Sequence, residues 1–132
     1  ALLAVAPDEL DNLSESVSPV HEEALAAHLW RTLEPYARDG DILVRHMGTR
    51  FFLLLHGTSH EHAEAVAGRL IQELNESPFT GAGHEISLTA SVGIACFPED
   101  GTGPEDLFSA SLSSLQAART EGTNQLCLHG GR

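Results

Sequence analysis

The strongest constraint on the fold is a rhythm in which three amphipathic stretches, each several helical turns long, separate short apolar runs. Leu25, Leu29 and Leu33 recur at four-residue intervals, with Ala26, Trp30 and Tyr36 widening the stripe. A second face comprises Ala63, Val66, Ala67, Leu70, Ile71 and Leu74, and a third runs through Leu107, Phe108, Leu112, Leu115 and Ala118. The runs between them read as strands: residues 1–6, 42–45 and 51–55, a central strand through residues 86–97, and a last one at 126–129. The order is β, α, β-hairpin, α, β, α, β. Strands so separated must share one sheet, so an α+β (α/β sandwich) fold follows.

Local signals sharpen the boundaries. Glu22 and Glu23 fall in the first turn after Pro19, where negative charge suits the helix dipole, and Pro35 distorts the last turn. Asp39-Gly40 marks a turn, and Gly48 sits between two strand candidates in the manner of a hairpin loop. Ser59 is placed to cap the second helix, with His62 at the capping-box position. Pro104, Glu105 and Asp106 open the third helix and Gly122 closes it. Residues 7–19 read as a polar connection, and residues 81–83 as a flexible joint.

At 132 residues the chain is one domain's worth of protein. It carries 19 Asp and Glu against 7 cationic residues, all arginine, for a net charge of -12. That excludes a dedicated binder of nucleic-acid polymer, because no cationic surplus displaces counterions. The absence of lysine excludes Schiff-base and P-loop chemistry. The apolar runs are too short for membrane insertion. Cys96 and Cys127 read as buried free thiols, which favours a cytoplasmic setting, either outright or as the cytoplasmic portion of a membrane-anchored protein. The abrupt start, without Met, is expected of a fragment of a longer multidomain protein.

Three motifs then resemble the GGDEF, or diguanylate cyclase, family. The stretch from Asp41 through Arg45, Met47, Gly48, Thr49, Arg50 and Phe51 to Leu55 is similar to that family's signature hairpin. Leu88 to Gly101, with Ser91, Gly93, Ala95 and Pro98, resembles its Ser-x-Gly-Ile-Ala strand and following turn, and Ala118 to Asn124 resembles its Ala-Lys-x-x-Gly-x-Asn close. The resemblance implies a nucleotide-cyclase-like palm, with a mostly antiparallel sheet of about five strands and packed helices. It also implies that the family's leading helix is missing ahead of the first strand.

Residue by residue, the resemblance implies a degenerate catalytic site. The family's metal-holding Asp at the end of the first strand matches Ala6. In the signature turn, Met47 stands for the first Gly, Thr49 for Asp and Arg50 for Glu, so only Gly48 and Phe51 are kept. The guanine-reading Asn matches Ser14 and the Asp beside the base matches Glu23. The family's Phe-Lys pair matches Leu10 and Asp11, and its triphosphate-contacting Lys matches Arg119. Joining two GTP molecules needs a hard cation held by carboxylates. Ala6 offers no side-chain oxygen, Thr49 one neutral hydroxyl, and Arg50 a repelling charge. The expectation is therefore that the domain is not an enzyme and holds no metal or cofactor.

One family feature is kept. Arg38-Asp39-Gly40-Asp41 has the Arg-x-x-Asp form of the inhibitory site, where Arg donates to guanine O6 and N7 and Asp accepts from N1 and N2. The plainer reading of the same residues is a turn whose arginine meets a helix C-terminus and whose second Asp opens a strand. His56, His60 and His62 lie close together, and His60 has the i, i+4 spacing to Glu64 of a ligand pair, yet they read as a solvated face. Ser91 is expected half-buried and His46 exposed.

The expected role is thus a non-catalytic regulatory or protein-interaction domain of a bacterial cyclic di-GMP signalling protein. Its partners would be neighbouring domains of the same chain (an EAL phosphodiesterase or a sensor) and, in a homodimer, a second copy. The alternatives are a sensor module that binds cyclic di-GMP through Arg38 and Asp41, and a residual cyclase.

Overall fold

A computed structural model describes residues 1–8, 19–81, 84–86, 88–122 and 124–129. Strand β1 (Leu2–Pro7) leads to helix α1 (Pro19–Leu33), which closes in a 3₁₀ turn (Glu34–Tyr36) with Pro35 inside it. The hairpin β2 (Ile42–His46) and β3 (Arg50–Leu54) follows, then α2 (His60–Glu76), the short strands β4 (Phe79–Gly81) and β5 (His84–Ile86), β6 (Ala90–Ala95), α3 (Pro104–Glu121) and β7 (Leu126–Leu128). The expected caps are in place. The Ser59 hydroxyl accepts from the His62 amide at 3.2 Å, Pro104 stands in the first turn of α3, and Gly122 ends that helix at φ 135°.

The main sheet has five strands in the order β2-β3-β1-β6-β7. All neighbours are antiparallel except β6 and β7, which α3 connects as a parallel pair. The fold is α+β, as the palm-like expectation has it. One local expectation fails. Gly81, expected in a flexible joint, and Ile86, expected to open the central strand, instead lie in a separate antiparallel pair of short strands, β4 with β5. Three residues per strand are too few to leave a period, and β6 proper starts only at Ala90.

Alternation along each strand assigns the two faces. Leu3, Val5, Phe51, Leu53, Val92 and Ile94 point to one, where they meet Leu25, Leu29 and Leu33 of α1 and the Leu70 and Leu74 row of α2. This is the larger core. Truncating any of these fully buried leucines to Ala costs about 2–5 kcal/mol. The opposite face carries Ala4, Ala6 and Phe52 against Leu115 of α3. Two serines of α3, Ser111 and Ser114, are buried there and bond back to the carbonyls of Phe108 and Ala110. No helix among the described residues is long and apolar enough to cross a membrane.

Candidate functional site

The β2–β3 turn is the first place to test the family resemblance. His46 pairs with Arg50, leaving Met47, Gly48 and Thr49 as the loop. Met47 and Gly48 both take positive φ, 52° and 76°, as tight hairpin turns require. Gly48 is needed twice over, because a Cβ there would sit 3.0 Å from Glu22 Oε1. Met47 pays the left-handed cost and is 78% exposed. Thr49 is buried, and its hydroxyl has no partner among the described residues. Phe51 is core, with Trp30 tilted against it at 6.3 Å between ring centroids.

Arg45 fastens this turn to α1. Its two amino groups donate to Glu23 at 2.9 Å each, and its Nε donates to the Gly48 carbonyl at 2.6 Å. The hydrogen bond from Arg45, reinforced by its charge, holds the Glu23 carboxyl below the usual range. Glu23, the expected base reader, is thus engaged within the domain. His46 is not the exposed strand residue expected from the sequence. Its ring lies edge-on to Phe52 and Phe108, at 5.5 and 5.4 Å.

At the end of β1, Ala6 is buried opposite Ser91. Arg119 reaches in from α3 and donates to the Pro7 carbonyl at 2.9 Å. The residue that sequence reasoning missed is Asp8. It is 4% exposed, accepting from the Ser91 hydroxyl at 2.7 Å and the Asn124 amide at 2.8 Å. Ser91 is accordingly fully buried, not half-buried, because Asp8 supplies its partner. A serine inside an otherwise apolar strand was the available signal, since a buried hydroxyl needs an acceptor. Ser14, Leu10 and Asp11 lie outside the described residues.

These donors do not fit a divalent cation. Ala6 ends in a methyl group, Thr49 brings one hydroxyl, and Arg50 is cationic. Asp8 and Glu23 already accept hydrogen bonds from Ser91, Asn124 and Arg45. Among the described residues no three His, Cys, Asp or Glu converge. His60 stands 3.7 Å from Glu61 at the start of α2, both exposed. Cys96 is buried as expected, but Cys127 is only partly so, because β7 is an edge strand; its thiol is pushed up by burial and then by Glu121.

Arg38 and Asp41 do come together. The buried Asp41 carboxylate accepts from the Arg38 amide at 2.9 Å, from Arg38 Nε at 3.1 Å and from the His56 amide at 2.7 Å. Burial alone would raise its pKa, but these bonds and the arginine charge outweigh that and hold it low. Arg38 also donates through Nη2 to the His56 carbonyl and the Thr58 hydroxyl, while Nη1 has no partner among the described residues. Its side chain stays 53% exposed. Beside it opens a cleft of about 560 Å³, lined by Gly40, Leu54, His56, Thr58, Phe97 and Leu107 among others.

Residues 22–125 match the family model described as "Diguanylate cyclase, GGDEF domain". The chain belongs to the GGDEF family. Among similar proteins, the cyclic di-GMP phosphodiesterase NbdA of Pseudomonas aeruginosa is 26% identical over 89% of this chain, and the bifunctional diguanylate cyclase/cyclic di-GMP phosphodiesterase MucR of the same organism is 29% identical over 68%. The chain spans only 15% and 13% of their lengths. A solved EAL/GGDEF domain protein from M. capsulatus superposes with a TM-score of 0.88 at 25% identity, covering 98% of this chain and 83% of that one. These matches correct one expectation. Against the expectation of no enzyme, the similarity runs to proteins named as cyclases, MucR and the diguanylate cyclase DgcP of P. aeruginosa, 32% identical over 67% of this chain.

Proposed function

We propose that this GGDEF domain binds cyclic di-GMP through Arg38, with Asp41 holding the guanidinium in place, and serves regulation in a cyclic di-GMP signalling protein. One observation carries the reading. Arg38 is fixed through its Nε and Nη2, yet Nη1 remains unpartnered and the side chain half exposed. A guanidinium held this way loses little further freedom when its free Nη1 donates to one guanine acceptor, O6 or N7. Asp41 is engaged by His56 and Arg38, so its part is positioning more than base reading. The adjoining cleft offers Leu54 and Phe97 as an apolar bed for a base. The names of NbdA and MucR, both of which mention cyclic di-GMP, support the choice of ligand. An EAL or sensor domain in the same chain would be the natural recipient of the signal.

Calorimetry with cyclic di-GMP tests this. Wild type should bind, and Arg38→Ala should weaken binding roughly ten-fold or more, the loss expected of one charge-assisted hydrogen bond to guanine. No heat with wild type, or equal affinity in the variant, rejects the reading. The match to MucR and DgcP favours a second reading, in which the domain also joins GTP, on a donor set that departs from the family at Ala6, Thr49 and Arg50. Chromatographic detection of cyclic di-GMP from GTP with magnesium decides it.

A further inference from the structure

A groove runs between α1 and the β4 strand. Helix α1 contributes Ala24, Ala27, His28 and Arg31, spaced three and four apart and so on one face, while Pro78, Phe79 and Thr80 form the facing wall. The two alanines leave depth where longer side chains would fill it. The volume is about 480 Å³, within the range of small-ligand sites, and the groove shares no residue with the cleft beside Arg38. His28 holds the two walls together. Its Nε2 donates to the Ser77 carbonyl at 2.8 Å, since a carbonyl can only accept, and its ring tilts against Phe79 at 5.7 Å between centroids. The groove is therefore set before any ligand arrives, which lowers the ordering cost of binding.

The charge of the groove is unlike that of the chain around it. None of its lining residues is acidic, in a protein with 19 Asp and Glu against 7 arginines. Arg31 is exposed and makes no hydrogen bond or ion pair among the described residues, whereas Arg38, Arg45 and Arg119 are all engaged. The acid nearest to it in sequence, Glu34, accepts from the Trp30 indole instead. An arginine in the last turn suits the helix dipole, but the dipole asks for no apolar groove beside it. We infer that this groove binds a small monocarboxylic acid with an apolar body. The Arg31 guanidinium takes the carboxylate with two parallel donors, and Ala24, Ala27 and Pro78 bed the apolar part. The net charge of -12 selects against ligands of higher negative charge, because the long-range field repels each added charge. A peptide ending in an apolar residue carries the same chemistry at its terminal carboxylate.

Titration of the isotope-labelled domain with benzoate, followed by amide NMR shifts, tests the proposal. Benzoate should move the amides of Ala24, Ala27, His28, Arg31, Phe79 and Thr80 along saturable curves. Benzamide keeps the ring and drops the charge; acetate keeps the charge and drops the ring. Each should bind roughly ten-fold more weakly or worse. Arg31→Gln should lose roughly ten-fold or more of the benzoate affinity, the worth of a charge-assisted pair. Ala27→Leu should lose as much by filling the groove while keeping the arginine. Both positions are exposed, so circular dichroism should show both variants folded. N-acetylphenylalanine in place of benzoate separates the sources: tighter binding assigns the site to a chain terminus, weaker binding to a free acid. Shifts that fail to saturate, shifts centred outside the groove, or an affinity unchanged in Arg31→Gln overturn the proposal. So does benzamide binding as well as benzoate.

Discussion

Gly93 and Asp8 show how single residues join parts of this fold that lie far apart in sequence. Gly93 sits where α3 crosses β6, and the atoms a side chain would strike are backbone, which cannot rotate away. Gly93→Ala should therefore destabilise the domain by about 3 kcal/mol, at the upper end of overpacking costs. A urea unfolding midpoint within error of wild type would reject that. The glycine was legible as part of a family motif, but its physical reason was not, because nothing local says which helix will cross there. Asp8 was less legible still. Its partner Ser91 is 83 residues away, and the segment around it reads as polar connection. Ala6, Thr49 and Arg50, in contrast, were plain in the sequence as departures from the signature. The structure adds that Thr49 is buried, with its hydroxyl unpartnered among the described residues.

The helices and the β2–β3 hairpin announce themselves through period and turn chemistry, and their boundaries fall where capping residues predict. The β4–β5 hairpin does not, since three-residue strands leave no alternation to read. Between elements, Asp41 is the tie. It joins the segment after the 3₁₀ turn to the exit of β3 by accepting from Arg38 and from the His56 amide. Those bonds keep its folded pKa below the ordinary aspartate value of about 3.9, so the unfolded chain binds more protons in the window beneath it. The stability it contributes is complete above the ordinary value and is lost as pH falls through the depressed one. Unfolding midpoints below about pH 4 should thus fall less steeply for Asp41→Asn than for wild type, with the variant already weaker at neutral pH. Parallel curves would show that Asp41 contributes nothing to the acid limb.

Across the whole molecule, element order fixed the fold class, whereas coverage of the sheet faces depended on side-chain sizes brought together only by strand pairing. The net charge of -12 also acts at this scale. Among the described residues the arginine ion pairs are Arg38 with Asp41 and Arg45 with Glu23, the second largely exposed. Most of the acidic side chains among the described residues are therefore exposed to water. Self-repulsion of this kind opposes the compact state, which holds like charges closer than the unfolded chain does. Salt screens it over a Debye length that shrinks from about 30 Å at 0.01 M to about 8 Å at 0.15 M. The melting temperature should rise by roughly 2–5 °C across that interval, equivalent to about 1 kcal/mol or less for a domain of this size. Most of the rise should come below about 0.15 M, because exclusion of salt from apolar surface acts at far higher concentration. A melting temperature that falls as sodium chloride is added would mean that the surface ion pairs outweigh the repulsion, reversing this account of the charge.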